Sequence, residues 1–295
     1  MENNSTENKF NKTCISWYPG HMAKTKRLIK EDLKLIDIVY ELVDARIPIS
    51  SKIKDIDEII KNKPKILIMT KSDLCDLKET ELIKKYYESL NYKVILLDLK
   101  NNKNINIILE KTKEVLKELD EKRLKKDIIK KSYRALIIGI PNVGKSTLIN
   151  RLVNKKAVNV GNKPGITKDL NWIRINKDLE LLDTPGILWP KFDNDEIALN
   201  LASTTAIKEE ILPIFDVSNH ILKKLNDYYS NELFNRYGIR EIDKENILNT
   251  YDIIAKKRGC LIKNNEIDYE KTANVIIKDI KDGNIKNITF DRLGE

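Results

Sequence analysis

The stretch Gly139-Ile140-Pro141-Asn142-Val143-Gly144-Lys145-Ser146 constrains this chain more than any other. It has the spacing G-x-x-x-x-G-K-[ST] and follows an apolar run from Tyr133 to Ile138. The pattern predicts a buried strand, a glycine-bearing loop and a helix opening near Lys145. Such a loop can wrap an oligophosphate, because its glycines let backbone N–H groups point inward and the helix N-terminus behind them favours anions. In that arrangement Lys145 reaches the β- and γ-phosphates and Ser146 offers its hydroxyl to Mg2+, while Asn142, Val143, Gly144 and Thr147 complete the loop.

The rest of the chain is arranged around that loop. Strand-like runs at 38–43, 65–69 and 93–97 alternate with helical spacing at 76–90 and with one amphipathic helix from Ile105, apolar or Thr at 105, 108, 109, 112, 115, 116 and 119. Alternation of this kind predicts an α/β fold, a mostly parallel sheet with helices on both faces. After the loop come a polar connection containing Pro164-Gly165, a hairpin pairing 170–175 with 179–182, and Asp183-Thr184-Pro185-Gly186. Beyond Pro190 only helical spacing remains, at 197, 198, 201, 202 and 205, at 217, 221, 224 and 228, and at 269, 272, 273, 276 and 280. The expected organisation is a disordered polar tail at 1–13, a nucleotide-binding domain at 14–205 and a smaller all-helical domain at 206–295.

Composition narrows the setting. Hydrophobic residues make up 41% and charged residues 34% of 295, and no apolar run approaches the roughly 18 residues of a membrane span. The first twenty residues lack a secretory h-region, so a cytoplasmic protein is expected. Cys14, Cys75 and Cys260 are too far apart for a C-x-x-C site and read as ordinary thiols. The net charge of +9 suits a polyanionic partner, although a composition this rich in Lys, Asn and Ile reaches that charge without one.

Three further motifs carry chemistry. Asp183-Thr184-Pro185-Gly186 lies at a strand end, 38 residues after Lys145. There Asp183 can hold Mg2+ through water, and the Gly186 N–H can face a γ-phosphate and draw the following loop toward it. Thr167 lies between the two motifs, where a mobile loop would cap Mg2+ and the γ-phosphate. Thr70-Lys71-Ser72-Asp73 follows an apolar strand and suggests guanine recognition: Asp73 can accept N1–H and the exocyclic amine together while the Lys71 stem packs on the ring. A helix N-cap at Ser72 or Asp73 is the plainer reading of the same residues.

The guanine motif precedes the phosphate loop, reversing the usual order, and circular permutation preserves strand neighbours when the old termini lie close. That order, with Trp17-Tyr18-Pro19-Gly20-His21-Met22, Asp44-Ala45-Arg46-Ile47-Pro48 and Arg258-Gly259-Cys260-Leu261, resembles the circularly permuted ribosome-biogenesis GTPase A family from about residue 15 to 290. The resemblance implies a GTP hydrolase acting in late assembly of the large ribosomal subunit, with ribosome-stimulated hydrolysis driving release, and a helical domain contacting rRNA. It assigns Lys145 and Ser146 to phosphates and Mg2+, Thr167 and Asp183 to metal and switch, and Thr70, Lys71, Ser72 and Asp73 to guanine.

Two departures stand out. The guanine motif usually opens with Asn, and Thr70 lacks that amide, which implies a weaker hold on nucleotide. A later guanine loop usually reads Ser-Ala-Lys, where this chain has Asp98-Leu99-Lys100. Ile187 occupies the place where Ras-like enzymes carry a water-orienting Gln. The resemblance suggests a K+ ion held partly by Asn142 as its replacement; His21 is a second candidate, or else a packed turn residue beside Trp17. His220 reads as structural. Lys256, Lys257, Arg258 and Lys263 are candidate RNA-phosphate contacts, or solvated helix faces. The expected partners are GTP or GDP and a large subunit, met by a monomer. The alternatives are a nucleotide-gated ribosome-binding protein with negligible turnover, or a permuted GTPase of the small or an organellar subunit.

Overall fold

The computed structural model describes residues 27, 29–53, 58, 60, 63–101, 105–126, 132–153, 171–184, 194–204 and 213–294. Within them β1 (Ile38–Asp44), β2 (Lys65–Thr70), β3 (Lys93–Leu96), β4 (Tyr133–Gly139), β5 (Asn171–Arg174) and β6 (Leu179–Asp183) form one sheet, in the order β3-β2-β1-β4-β6-β5. All neighbours pair parallel except β5 with β6. Every residue of β1 is buried, as a central parallel strand covered on both faces must be. Glu41, in the middle of the strand, accepts the Ile53 N–H at 3.1 Å and so pins the loop that follows the strand.

The chain moves outward through β1, β2 and β3, then returns to the other side of β1 for β4. Strand order therefore reverses between β1 and β4. In open parallel sheets the crevice beyond the strand C-termini at such a reversal is where ligands bind. Register brings those ends level: Asp44 opposite Thr70, Leu42 opposite Gly139, Ile137 opposite Asp183.

Helices cover the sheet. α1 (Leu77–Ser89) is capped by Asp76, whose side chain accepts from the N–H groups of Lys78 and Glu79. The cap is thus neither Ser72 nor Asp73, which lie in the preceding turn. Where the periodicity predicts one helix from Ile105, there are two, α2 (Ile107–Val115) and α3 (Lys117–Leu124), separated at Leu116. No residue of α3 is fully buried; half-buried Leu119 packs on the core, and Asp120 accepting from Tyr133 and Arg123 pairing with Asp37 at 2.6 Å hold it further. α4 (Lys145–Leu152) follows the phosphate loop.

Beyond the sheet come α5 (Asp195–Ser203), α6 (Ile214–Tyr228), α7 (Ser230–Tyr237), α8 (Ile247–Arg258) and α9 (Tyr269–Lys281). Val217, Ile221, Leu222 and Leu225 form the buried stripe of α6, each contributing roughly 1.5–3 kcal/mol of burial. The helices share one continuous apolar cluster with the sheet, from Ile38 and Leu136 through Leu201 and Ile221 to Ile280 and Phe290. A second cluster, including Val43, Leu67, Met69, Ile83 and Tyr87, lies under α1. Among the described residues no helix is long and apolar enough to cross a membrane.

Candidate functional site

Glycines set the backbone path of the phosphate loop. A Cβ on Gly139 would stand 2.8 Å from the Leu42 carbonyl oxygen and 2.8 Å from Val143 Cγ1, so β4 can lie this close to β1 only with hydrogen there. The chain then turns through Asn142 at φ 58° and Gly144 at φ 106°, the left-handed conformations that curl N–H groups around an anion. Asn142 and Thr147 face solvent, Ser146 is half-buried in the first turn of α4, and Lys145 is buried.

Lys145 Nζ donates to the carbonyls of Gly139 and Ile140, both at 2.9 Å, which folds the side chain back over its own loop. Burial lowers its pKa to about 8, against the opposing pull of the Asp183 carboxylate. A phosphate arriving in the loop would restore the full charge. Asp183 ends β6 almost fully buried, and Thr184 after it donates to the Ile137 carbonyl at 2.8 Å, fixing that strand end against β4. A hydroxyl at Ser146 and a carboxylate at Asp183 are hard oxygen donors, which fit Mg2+. When bound, that ion neutralises charge on the β- and γ-phosphates.

The segment 70–73, at the end of β2, meets the loop directly. The Thr70 hydroxyl is fully buried and lies 2.5 Å from the Val143 carbonyl oxygen and 3.1 Å from that of Val43. Thr70 therefore ties the end of β2 to the phosphate loop although it lacks an amide. The turn beyond it takes Lys71 to φ 60°, closes through Leu74 N–H on the Lys71 carbonyl at 3.0 Å, and is bound just past the end of β3 by Ser72 N–H on the Leu97 carbonyl at 3.2 Å. Asp73 is half-buried in that turn.

The loop 98–101 packs on the other side. A Cβ on Gly144 would lie 3.3 Å from Leu99 Cδ1, and Arg151 donates to the Lys100 carbonyl at 3.3 Å. The Asp98 carboxylate accepts from the Asn101 backbone at 2.9 Å and side chain at 2.7 Å. Its carboxylate thus shapes the turn. Three segments far apart in sequence thus converge on one crevice. His21, Thr167 and Gly186 lie outside the described residues.

Lys256, Lys257 and Arg258 close α8 and are exposed, as is Lys263; cations there also complement the helix dipole. His220 is structural. Its Nε2 lies 2.7 Å from Asn200 Oδ1, and Asn200 Nδ2 donates to Ser50 Oγ and Asp291 Oδ1, both at 3.1 Å. Asn200 thus uses its oxygen as the acceptor, so Nε2 carries the proton of the neutral ring. Burial first, then Lys224, lowers the His220 pKa to about 4.

Sequence reasoning assigned no role to Asp44 or Arg46. Both are buried at the same sheet edge, with Asp44 Oδ2 2.8 Å from Arg46 and 2.9 Å from Lys71. A charged pair at the end of a largely apolar strand was the available signal.

A G-x-x-x-x-G-K-S loop at the switch point of a mostly parallel sheet, with the end of β6 and the turn 70–73 beside it and that turn first in sequence, fits a circularly permuted P-loop GTPase. A family model described as a 50S ribosome-binding GTPase matches residues 134–256. The ribosome biogenesis GTPase A of Bacillus licheniformis is 47% identical over 278 residues, covering 94% of this chain and 98% of that protein. The same-named protein of Priestia megaterium is 46% identical, covering 94% and 96%. The crystal structure of GNP-bound YlqF from T. maritima superposes with a TM-score of 0.64 at 25% identity, covering 92% and 99%. The chain belongs to the ribosome biogenesis GTPase A family, and it is a GTP hydrolase of ribosome assembly.

Proposed function

We propose that this GTPase binds the immature large ribosomal subunit and promotes a late step of its assembly, with hydrolysis stimulated by the particle and driving release. The observation that carries the reading is the seam between the nucleotide crevice and the helices. Beside the guanine turn, Ile288 N–H donates to the Leu74 carbonyl at 3.2 Å and Asp76 N–H to Thr289 Oγ1 at 3.1 Å. Arg46 Nη1 donates to the Ile280 carbonyl at the end of α9 at 2.9 Å. A surface docked on α6–α9 is thereby mechanically close to the nucleotide. The family model's description as a 50S ribosome-binding GTPase supports the choice of subunit.

In this reading Lys145 and the N–H groups of the loop hold the phosphates, Ser146 and Asp183 hold Mg2+, and Lys71 and Asp73 read guanine. Gly186 and Thr167 close their loops on the γ-phosphate and open after hydrolysis. Asn142 helps hold a K+ ion that supplies charge at the transition state, and His21 is the further candidate for orienting water. Lys256, Lys257, Arg258 and Lys263 contact RNA phosphates, with affinity that falls as salt rises. The protein acts as a cytoplasmic monomer.

The test is GTP hydrolysis by the full chain with and without purified large subunits, in K+ and in Na+ buffer. Large subunits are expected to raise the rate in K+ well above that of the free protein. Equal rates with and without them, or stimulation by small subunits alone, overturn the proposal.

A further inference from the structure

Asp44 and Arg46 have no part in the cycle just described, yet they occupy its edge of the sheet. Asp44 stands level with Thr70 in the β1–β2 register. Its Oδ1 accepts from the Arg46 backbone N–H and from Nε, both at 3.0 Å, and its Oδ2 accepts from Arg46 Nη2 at 2.8 Å. The remaining edge of Oδ2 lies 2.9 Å from Lys71 Nζ. Arg46 is itself locked by the Ile280 carbonyl, so Asp44 has little freedom to turn.

This is an expensive arrangement for stability alone. One guanidinium already neutralises the buried Asp44 carboxylate, so the half-buried Lys71 ammonium is not needed to balance it, and bringing that ammonium out of water carries a desolvation cost. Burial accordingly lowers the Lys71 pKa, with the neighbouring Asp44 pulling the other way, while Arg46 and Lys71 hold Asp44 well below the usual carboxylate range against its own burial. Lys71 also adopts a left-handed φ of 60°, uncommon for a residue without a short polar side chain. Charge and backbone strain are thus both spent on where one lysine points.

We infer that Asp44 is a positioning residue for guanine recognition: by anchoring the Lys71 ammonium it lays the lysine methylenes along the base plane beside Asp73, and Arg46 fixes Asp44 for that task. The inference rests on the assignment of Lys71 and Asp73 to guanine.

The experiment is titration of the full chain with fluorescent GDP for wild type, Lys71→Met, Asp44→Asn, the double variant and Asp73→Asn, with melting temperature recorded for each. Asp44→Asn is expected to weaken GDP about tenfold in the wild-type background, the loss of one charged hydrogen bond, and by less than twofold in the Lys71→Met background. Unchanged affinity in Asp44→Asn, or an equal loss in both backgrounds, overturns the inference, because Asp44 would then act through the fold. If Lys71→Met and Asp73→Asn both bind GDP like wild type, the guanine assignment itself falls. Should Asp44→Asn fail to fold, the wild-type protein still decides. A slowly exchanging Lys71 ammonium resonance, assigned by its loss in Lys71→Met, is expected to persist in the GDP complex, and its disappearance on GDP binding overturns the inference.

Discussion

Replacing Thr70 by Val isolates the bond that joins the guanine turn to the phosphate loop. The side chains are nearly the same size and Thr70 is fully buried, so the change opens no cavity. What disappears is a hydroxyl 2.5 Å from the Val143 carbonyl oxygen and 3.1 Å from that of Val43. The single hydroxyl proton serves one of them at a time, so one hydrogen bond is lost, worth about 0.5–1.5 kcal/mol. The Val143 carbonyl left without it adds a desolvation cost of about 1–3 kcal/mol where water cannot enter. A total near 2 kcal/mol is expected, and it falls on the loop that Val143 belongs to. Fluorescent GDP titration of Thr70→Val should therefore show affinity reduced by roughly tenfold or more, with a melting temperature a few degrees lower. Thr70→Asn, which restores an amide at this position, should regain most of the affinity. Wild-type affinity in Thr70→Val would refute the reasoning, since the loop would then hold its shape without the tie.

Lowering pH should loosen the seam around His220. Its folded pKa of about 4 lies below the ordinary 6.5, so the unfolded chain takes up a proton first, and stability present above pH 6.5 is lost as pH falls toward 4. The contribution is at most about 3 kcal/mol, and urea midpoints at pH 7 and 5 should differ less in His220→Gln than in wild type. Asp279→Ala removes a buried carboxylate that accepts from Arg236 Nε at 2.7 Å, Tyr237 at 2.9 Å and Asn284 at 3.0 Å; urea unfolding should show a loss of about 3–5 kcal/mol. Gly139→Ala places a methyl group 2.8 Å from backbone at Leu42, so calorimetry should show a lower melting temperature, equivalent to about 1–3 kcal/mol, together with weaker GDP binding.

Much of the architecture was legible because it is local or periodic. The spacing from Gly139 to Ser146 needs a strand before it and a helix after it, and β4 and α4 supply both. Most of the helical spacing beyond Pro190 reappears as the buried faces of α5, α6 and α9, although Tyr228 is exposed and position 205 lies outside the described residues. Local signals were weaker where an alternative cost little. The pattern from Ile105 continues to Leu119, which packs half-buried on the core, yet the helix is interrupted at Leu116. Ser72 and Asp73 are as able to cap α1 as Asp76, and the left-handed turn at Lys71 moves the helix start beyond them.

The sequence by itself determined the phosphate loop, the strand that precedes it, the carboxylate at the end of β6, and the permuted order that marks the class. Each is a matter of residue type at short spacing. Only the tertiary structure decided that Thr70 does the tying at Val143, that Asp98 spends its carboxylate on its own turn, and that Asp44, Arg46 and Lys71 share one buried ion cluster. It also decided that residues as distant as Ser50, Asn200, His220 and Asp291 meet in one hydrogen-bonded seam. The reason is physical: a buried polar group must find a partner, but chain spacing does not say which, because the sheet register and the return of the C-terminal segment to the guanine turn select it in space.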